Sequence, residues 1–298
     1  MRASLAATSL PLLALAFLFG CAKPGPAPNP HYVVGSPYKA SGVWYYPAER
    51  AELVETGLAA VLPPNRPALT TNGEVYDPAA MAAAHPTLQL PAIARITDLE
   101  TGRAVVVRIN DRGTGDPHRL VEVTPRVAML LGMRQDQPAQ VRLELLGAES
   151  RAAVDGLAGA PSLPVSAAPR GAVQQANLPP PPGMREAGGR VARTAVVATA
   201  ADPTAAPPPV TRLPEQVTQG PVQTGRLWVR LDTFTDYQYA AIQRAKLIGL
   251  RPTIVSSRNG RMREFRVQIG PLASVPEADA ALDQALAVGI PDARIVVE

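Results

Sequence analysis

Aromatic residues are scarce in this chain of 298 residues: Phe, Trp and Tyr make up only 4% of it. The hydrophobic share of 46% is inflated by alanine. An evenly packed globule of this length uses more rings, so the apolar residues are expected to be concentrated in parts of the chain. A single cysteine excludes a disulfide scaffold. With only His31, His85 and His118 and no second cysteine, no set of residues has zinc spacing, so no metal is expected. No apolar run reaches the roughly 20 residues of a membrane-spanning helix, which excludes a polytopic membrane protein. No Gly-rich loop follows a strand, so nucleotide chemistry has no support and no cofactor is expected. What the chain has in excess is proline and glycine, 33 and 23 residues. Its net charge of +4 suits an anionic partner: a membrane surface, a cell-wall polymer or a nucleic acid.

The first residues read as an export signal. Arg2 precedes an apolar core from Leu5 to Leu18, too short to span a bilayer. The core ends in Leu18-Phe19-Gly20-Cys21, which resembles a bacterial lipobox. Acylation at Cys21 would tether the mature chain through a lipid; a buried free cysteine after an ordinary signal peptide is the plainer alternative. Ala22 in place of Asp after the cysteine favours the outer membrane. Four prolines within residues 22–30 then predict a tether that does not fold.

Residues 148–224 contain no ring but carry Pro179-Pro180-Pro181-Pro182 and Pro207-Pro208-Pro209. Such a stretch cannot offset its ordering entropy and is expected to be a linker of polyproline character. The expected organisation is therefore signal peptide 1–20, tether 21–34, folded block 35–147, disordered linker 148–225 and folded block 226–298.

In the first block Ala92–Thr97 and Ala104–Asn110 alternate around a turn at Glu100–Arg103, which predicts a hairpin. Asp77-Pro78 predicts a short helix through Ala84, and Thr124-Pro125 a second one stopped by Gly132. Several short strands with two short helices point to a small barrel. The second block reads β-α-β-β-α-β, with strands Leu227–Phe234, Pro252–Ser256, Glu264–Ile269 and Arg294–Val297 and helices Thr235–Ile248 and Pro276–Val288. That order gives a four-stranded sheet with helices on one face and an open face for binding, and the fold class is mainly β with an α+β module.

The runs Thr71-Asn72-Gly73-Glu74-Val75-Tyr76-Asp77, Ala83-Ala84-His85 and Arg108-Ile109-Asn110-Asp111-Arg112-Gly113 resemble the rare lipoprotein A family over roughly residues 38–147. That family consists of lipoprotein lytic transglycosylases built on a six-stranded double-psi β-barrel. The second block, through Val229–Phe234, Phe265–Pro271 and Pro291–Arg294, resembles a SPOR domain, which binds septal glycan stripped of stem peptides. The order of lipobox, barrel, linker and SPOR block is also the family's. Two departures stand out. The family's aromatic Trp-Tyr-Gly is here Val61-Leu62-Pro63, and its Phe-His-Gly gives way to Pro64-Asn65-Arg66-Pro67. An aromatic surface for stacking sugars is thereby lost.

The resemblance implies an endolytic lytic transglycosylase that cuts glycan strands lacking stem peptides at the division septum, on the periplasmic side of the envelope. Its partners would be peptidoglycan, an outer-membrane lipid anchor at Cys21 and division-machinery proteins, with no nucleic acid. Such an enzyme needs one acid/base, because the muramic C6 hydroxyl itself attacks and closes a 1,6-anhydro ring; a hydrolase needs a second carboxylate to activate water. Asp111 is expected to be the acid/base, with Glu74, His85 and Asp77 sharing the site. Taken singly, Asp77 reads as an N-cap, His85 as a helix cap, Glu74 as a solvated turn carboxylate and Asp111-Arg112 as a turn ion pair. Arg230, Arg266 and Gln268 fall on the open sheet face by period-two alternation and are the candidate glycan contacts of the second block. The lost aromatic run keeps a rival open: a degenerate barrel that binds glycan, as an expansin or scaffold does, without cutting it.

Overall fold

The computed structural model describes residues 27–134, 136–161, 212–260 and 262–298. The signal peptide, Cys21 and the polyproline runs lie outside the described residues. A small hairpin of β1 (Tyr38–Ala40) and β2 (Val43–Tyr45) precedes the barrel. The barrel strands are β3 (Val54–Val61), β4 (Ala82–Ala84), β5 (Ala92–Asp98), β6 (Arg103–Asp111), β7 (Val121–Val123) and β8 (Ala139–Leu145). Their pairing runs β3-β8-β5-β6-β4-β7 and returns to β3, so the six strands close without an edge. Two of these pairs, β3 with β7 and β4 with β6, are parallel. Leu88, Leu90, Ile96, Val107, Ile109, Leu131 and Leu143 fill the interior with essentially no exposure.

The expected helix after Asp77 does not form. Asp77 caps only a turn, accepting from Ala79 N at 2.8 Å, and Ala82–Ala84 are strand β4. Alanine prefers a helix, but closing the barrel requires these residues to pair with both β6 and β7, and that requirement overrides propensity. The second expected helix is present as α1 (Pro125–Leu131), with Thr124 as N-cap and Gly132 at φ 82° ending it.

The expected linker and tether are structured at their barrel ends. Residues 147–154 form α2 (Gly147–Val154), whose Ser150 Oγ accepts from Ile93 N at 2.9 Å. Strand β9 (Val217–Gln219) extends the sheet at β6, and Gln223 N donates to Leu99 O. Within the expected tether, Asn29 N donates to Gly73 O and Val33 bridges Leu90. Composition favours disorder in these segments, but each has backbone donors that the barrel surface can pair.

The second block holds β10 (Leu227–Phe234), α3 (Tyr237–Lys246), β11 (Thr253–Asn259), β12 (Met262–Leu272), α4 (Val275–Ala287) and β13 (Arg294–Val297). The sheet order is β11-β12-β10-β13, all antiparallel. Its apolar core of Val229, Val267, Ile269, Ala281, Leu282 and Ile295 is completed by Leu58 and Leu99 of the barrel. Thr56 Oγ1 donates to Val297 O at 2.7 Å, and Arg119 holds both oxygens of Asp279 on α4 at 2.8 and 3.1 Å. Gly57 is required at this seam, since a Cβ there would stand 2.8 Å from Leu120 Cβ.

His118 joins the same seam. Its Nδ1 lies 2.6 Å from Asp116 and its Nε2 2.9 Å from Asp283 of α4, so only the protonated ring can donate to both. Burial pushes the imidazole pKa down, but the hydrogen bond and charge of Asp116, with Asp283 and Asp279 beyond, outweigh this and raise it above 6.5. A raised folded-state pKa stabilises fully below the unfolded value and is lost as pH rises through the folded one. Melting curves at pH 5.5, 7 and 9 are therefore expected to show His118→Gln less stable than the unmodified chain in acid, with the gap closing as pH rises. A gap independent of pH would remove His118 as a charged latch.

Candidate active site

Asp111 ends β6 with a buried side chain whose two oxygens both accept. Oδ1 takes Thr71 Oγ1 at 2.6 Å, Thr71 N at 3.0 Å and Arg112 N at 2.8 Å; Oδ2 takes Arg66 Nη2 at 2.7 Å. Arg66 also reaches Gly113 O at 3.3 Å and lies 3.8 Å from Glu122 of β7. Glu122 is fully engaged, accepting from Thr114 N at 2.8 Å and from the Thr114 hydroxyl. Gly113 lets the chain pass here: at φ 82° a Cβ would meet Glu122 Oε2 at 2.6 Å. The result is a dry cluster of two carboxylates and one guanidinium at the end of the barrel.

Glu74 lies next door and in a different network. Its Oε1 accepts from Arg108 Nε and Nη2 at 2.9 and 2.8 Å and from Asn72 Nδ2 at 2.7 Å; its Oε2 accepts from Asn110 Nδ2 at 2.9 Å. Only 4% exposed, it is not the solvated turn carboxylate that its place after Asn72-Gly73 allows. Glu74 and the half-exposed Asp77 border a cavity of about 610 Å³ that Asp111 and His85 do not line.

His85 follows β4 and is buried. Its Nδ1 accepts from Thr87 N and Leu88 N, both at 3.2 Å, which assigns the ring proton to Nε2; that atom has no partner among the described residues. Burial lowers the imidazole pKa to about 3, and the nearby Arg112 and Arg50 cations push the same way, so the ring is neutral across ordinary pH. His85 N donates to Asp111 O at 3.0 Å, and Arg112 Nη1 donates to His85 O at 3.3 Å.

The four expected residues are thus neighbours, yet they face three different spaces. Thr71-Asn72 is the junction: Thr71 serves Asp111 and Asn72 serves Glu74. Arg66, Thr71, Arg108 and Glu122 belong to the site and were not singled out by the sequence reading. The signal for Arg66 was its place in the segment that departs from the family pattern. In the second block, Arg230 stands opposite Gln268 and bonds the Glu298 carboxylate, and Arg266 lies opposite Val255. Gln268, in register with Arg230 and between the core residues Val267 and Ile269, lies on the same face as Arg230 but is buried there.

The chain has relatives among known proteins. A family profile described as "Lytic transglycolase" matches residues 54–143. The endolytic peptidoglycan transglycosylase RlpA of Pseudomonas aeruginosa is 32% identical over 276 residues, 87% of this chain and 76% of that one. The proteins of the same name from Helicobacter pylori and Vibrio cholerae are 37% and 40% identical over 114 and 78 residues, 37% and 26% of this chain and 36% and 30% of theirs. The crystal structure of the RlpA SPOR domain from Pseudomonas aeruginosa matches at 23% identity, covering 24% of this chain and 99% of that one, with a TM-score of 0.23. By the extent and identity of the Pseudomonas aeruginosa RlpA match, and with a closed six-stranded barrel joined to a βαββαβ module, the chain belongs to the RlpA family of peptidoglycan transglycosylases.

Proposed function

We propose that this chain is an endolytic lytic transglycosylase that cuts peptidoglycan glycan strands lacking stem peptides. The observation that carries the reading is the state of the carboxylates around Asp111. Glu74 is fully taken up by Arg108, Asn72 and Asn110, and Glu122 by Thr114 and Arg66. When Arg66 moves, Glu74 keeps all its partners and Glu122 keeps Thr114, whereas displacing Arg66 frees Oδ2 of Asp111, which supports a one-carboxylate reaction over hydrolysis. Asp111 gives a proton to the glycosidic oxygen as the C1–O4 bond breaks. The C6 hydroxyl attacks C1, and its proton returns to Asp111 as the 1,6-anhydro ring closes. Oδ1 is fixed by Thr71 throughout, whereas Oδ2 is released when substrate displaces Arg66. His85, neutral and with a proton on Nε2, acts as a hydrogen-bond donor.

The names of the relatives support the substrate and the reaction. The Leu18–Cys21 run supports acylation and an outer-membrane anchor, and the SPOR-like module supports enrichment at septal glycan through Arg230 and Arg266. One observation favours a second reading, glycan binding without cleavage: Arg66 lies across the oxygen that chemistry would use.

The test uses the soluble chain from residue 22 and peptidoglycan stripped of stem peptides by an amidase. Mass spectrometry of the released material is expected to find 1,6-anhydromuramic ends. New reducing ends would identify a hydrolase instead, and sedimentation with the wall without release would leave a binding protein.

A further inference from the structure

The docking of the two blocks creates a cleft of about 270 Å³ that neither block contains by itself. Trp44 and Tyr46, from β2 and just beyond it, form part of its wall, and both are at least half exposed. Pro291, Asp292 and Arg294 of the second block line the cleft too, as do His85 and Arg50. Of the four rings that are at least half exposed among the described residues, Tyr237 and Tyr239 lie on α3 and the other two, Trp44 and Tyr46, stand at this cleft. They are held there by structure: Tyr45, the residue between them, stacks on Tyr38 at 5.3 Å and donates to Gly115 O at 3.2 Å. The hairpin turns Trp44 and Tyr46 outward because successive side chains alternate across it.

We infer that this cleft is a glycan subsite, in which Trp44 and Tyr46 stack on the sugar rings of a stripped strand and Arg50 meets a muramic lactyl carboxylate. The inference rests on the proposed peptidoglycan substrate. Removing the stem peptide frees one lactyl carboxylate per disaccharide, so the ligand is an anionic N-acetyl sugar chain. Arg50 fits that charge, since its guanidinium makes no hydrogen bond or ion pair among the described residues. Aromatic faces suit the apolar faces of pyranose rings. His85 touches the same space and keeps an unpartnered buried Nε2, an arrangement that costs stability unless function retains it. His85 N also donates to Asp111 O, which makes this wall the backbone neighbour of the proposed acid/base, although Asp111 itself does not line the cleft. The hairpin thus supplies the aromatic surface that Val61-Leu62-Pro63 does not.

Trp44 also provides the readout, because the chain has only two tryptophans. In the soluble chain with Trp228→Phe and Asp111→Asn, emission from Trp44 is expected to change on titration with GlcNAc–MurNAc tetrasaccharide. Trp44→Ala and Tyr46→Ala, each tested by calorimetry, are expected to weaken binding roughly 3- to 10-fold. Trp44→Phe is expected to restore most of it, which separates stacking from loss of the hairpin fold. In the cleaving chain the same alanine variants raise KM more than they lower kcat. If Trp44 responds and stripped wall is not cleaved, the subsite stands and the catalytic reading falls. If the wall is cleaved while Trp44 is silent and both alanine variants keep affinity and KM, the subsite falls and the catalytic reading stands.

Discussion

Asp111→Asn is expected to lower release of anhydro-ended glycan by about 10²- to 10⁴-fold, the usual contribution of a positioned acid/base. Asparagine keeps the shape of aspartate but has one acceptor and one donor end. At Asp111 all four neighbours donate: Thr71 N, Thr71 Oγ1, Arg112 N and Arg66 Nη2. Whichever way the amide turns, its Nδ2 faces a donor, and some stability is lost, about 1–3 kcal/mol. The activity loss must therefore be read on folded protein, well below the melting midpoint. Sedimentation with stripped wall is expected to match the unmodified chain, because the binding surfaces do not include Asp111. Full activity in folded Asp111→Asn would move the acid/base elsewhere, with Glu122 the next carboxylate in the cluster.

Replacing Glu74 by alanine is expected to act differently, through the fold. The Glu74–Arg108 pair has side chains only 5% and 9% exposed, and Asn72 and Asn110 complete it. Removing the carboxylate leaves a buried guanidinium and two amides without their acceptor. Such uncompensated charges cost about 3–5 kcal/mol. For a folded body of this size that is a fall of roughly 10 °C or more in melting midpoint. Glu74→Leu combined with Arg108→Met removes both charges and is expected to recover most of the loss, as apolar replacements of buried pairs commonly do. Glu74→Ala that melts like the unmodified chain yet cleaves nothing would return Glu74 to a direct role in the reaction. These two variants separate residues that a shared motif places side by side.

Elements fixed by local chemistry could be read from the sequence. Thr124-Pro125 and Gly132 delimit α1 by their own caps, and the β5–β6 hairpin follows from alternation around a turn in which Asp98 accepts from Glu100 N and Thr101 N. The order of the second block follows in the same way, from alternating strands and from helices that begin at the caps Asp236 and Ser274. Elements fixed by closure could not be read. Ala82–Ala84 reads as helix because nothing within those three residues records that two distant strands need partners. Segments 147–154 and 217–219 read as linker because composition measures what a segment can bury by itself, not what an existing surface offers it.

The site was legible as a set of residue types and opaque as geometry. The spacing of Glu74, Asp77, His85 and Asp111 marks them as neighbours. It does not show that Thr71 and Asn72 sort two of them into separate networks. Arg66 could not be assigned a partner from its position, because 45 residues separate it from Asp111. The cleft at the seam is the extreme case, since it depends on Tyr46 and Pro291 being brought together by a docking that no local pattern encodes.

The hydrogen bond from Asn29 to Gly73 also sets a length. Asn29 lies eight positions after Cys21, and a chain extends at most ~3.5 Å per residue, so a lipid on Cys21 would hold the barrel within ~28 Å of the bilayer surface. Residues 162–211 add nothing to that reach, because the chain leaves the barrel after α2 and rejoins it at β9. For a chain acylated at Cys21, lengthening residues 22–28 would extend that reach, and lengthening the proline-rich stretch would not.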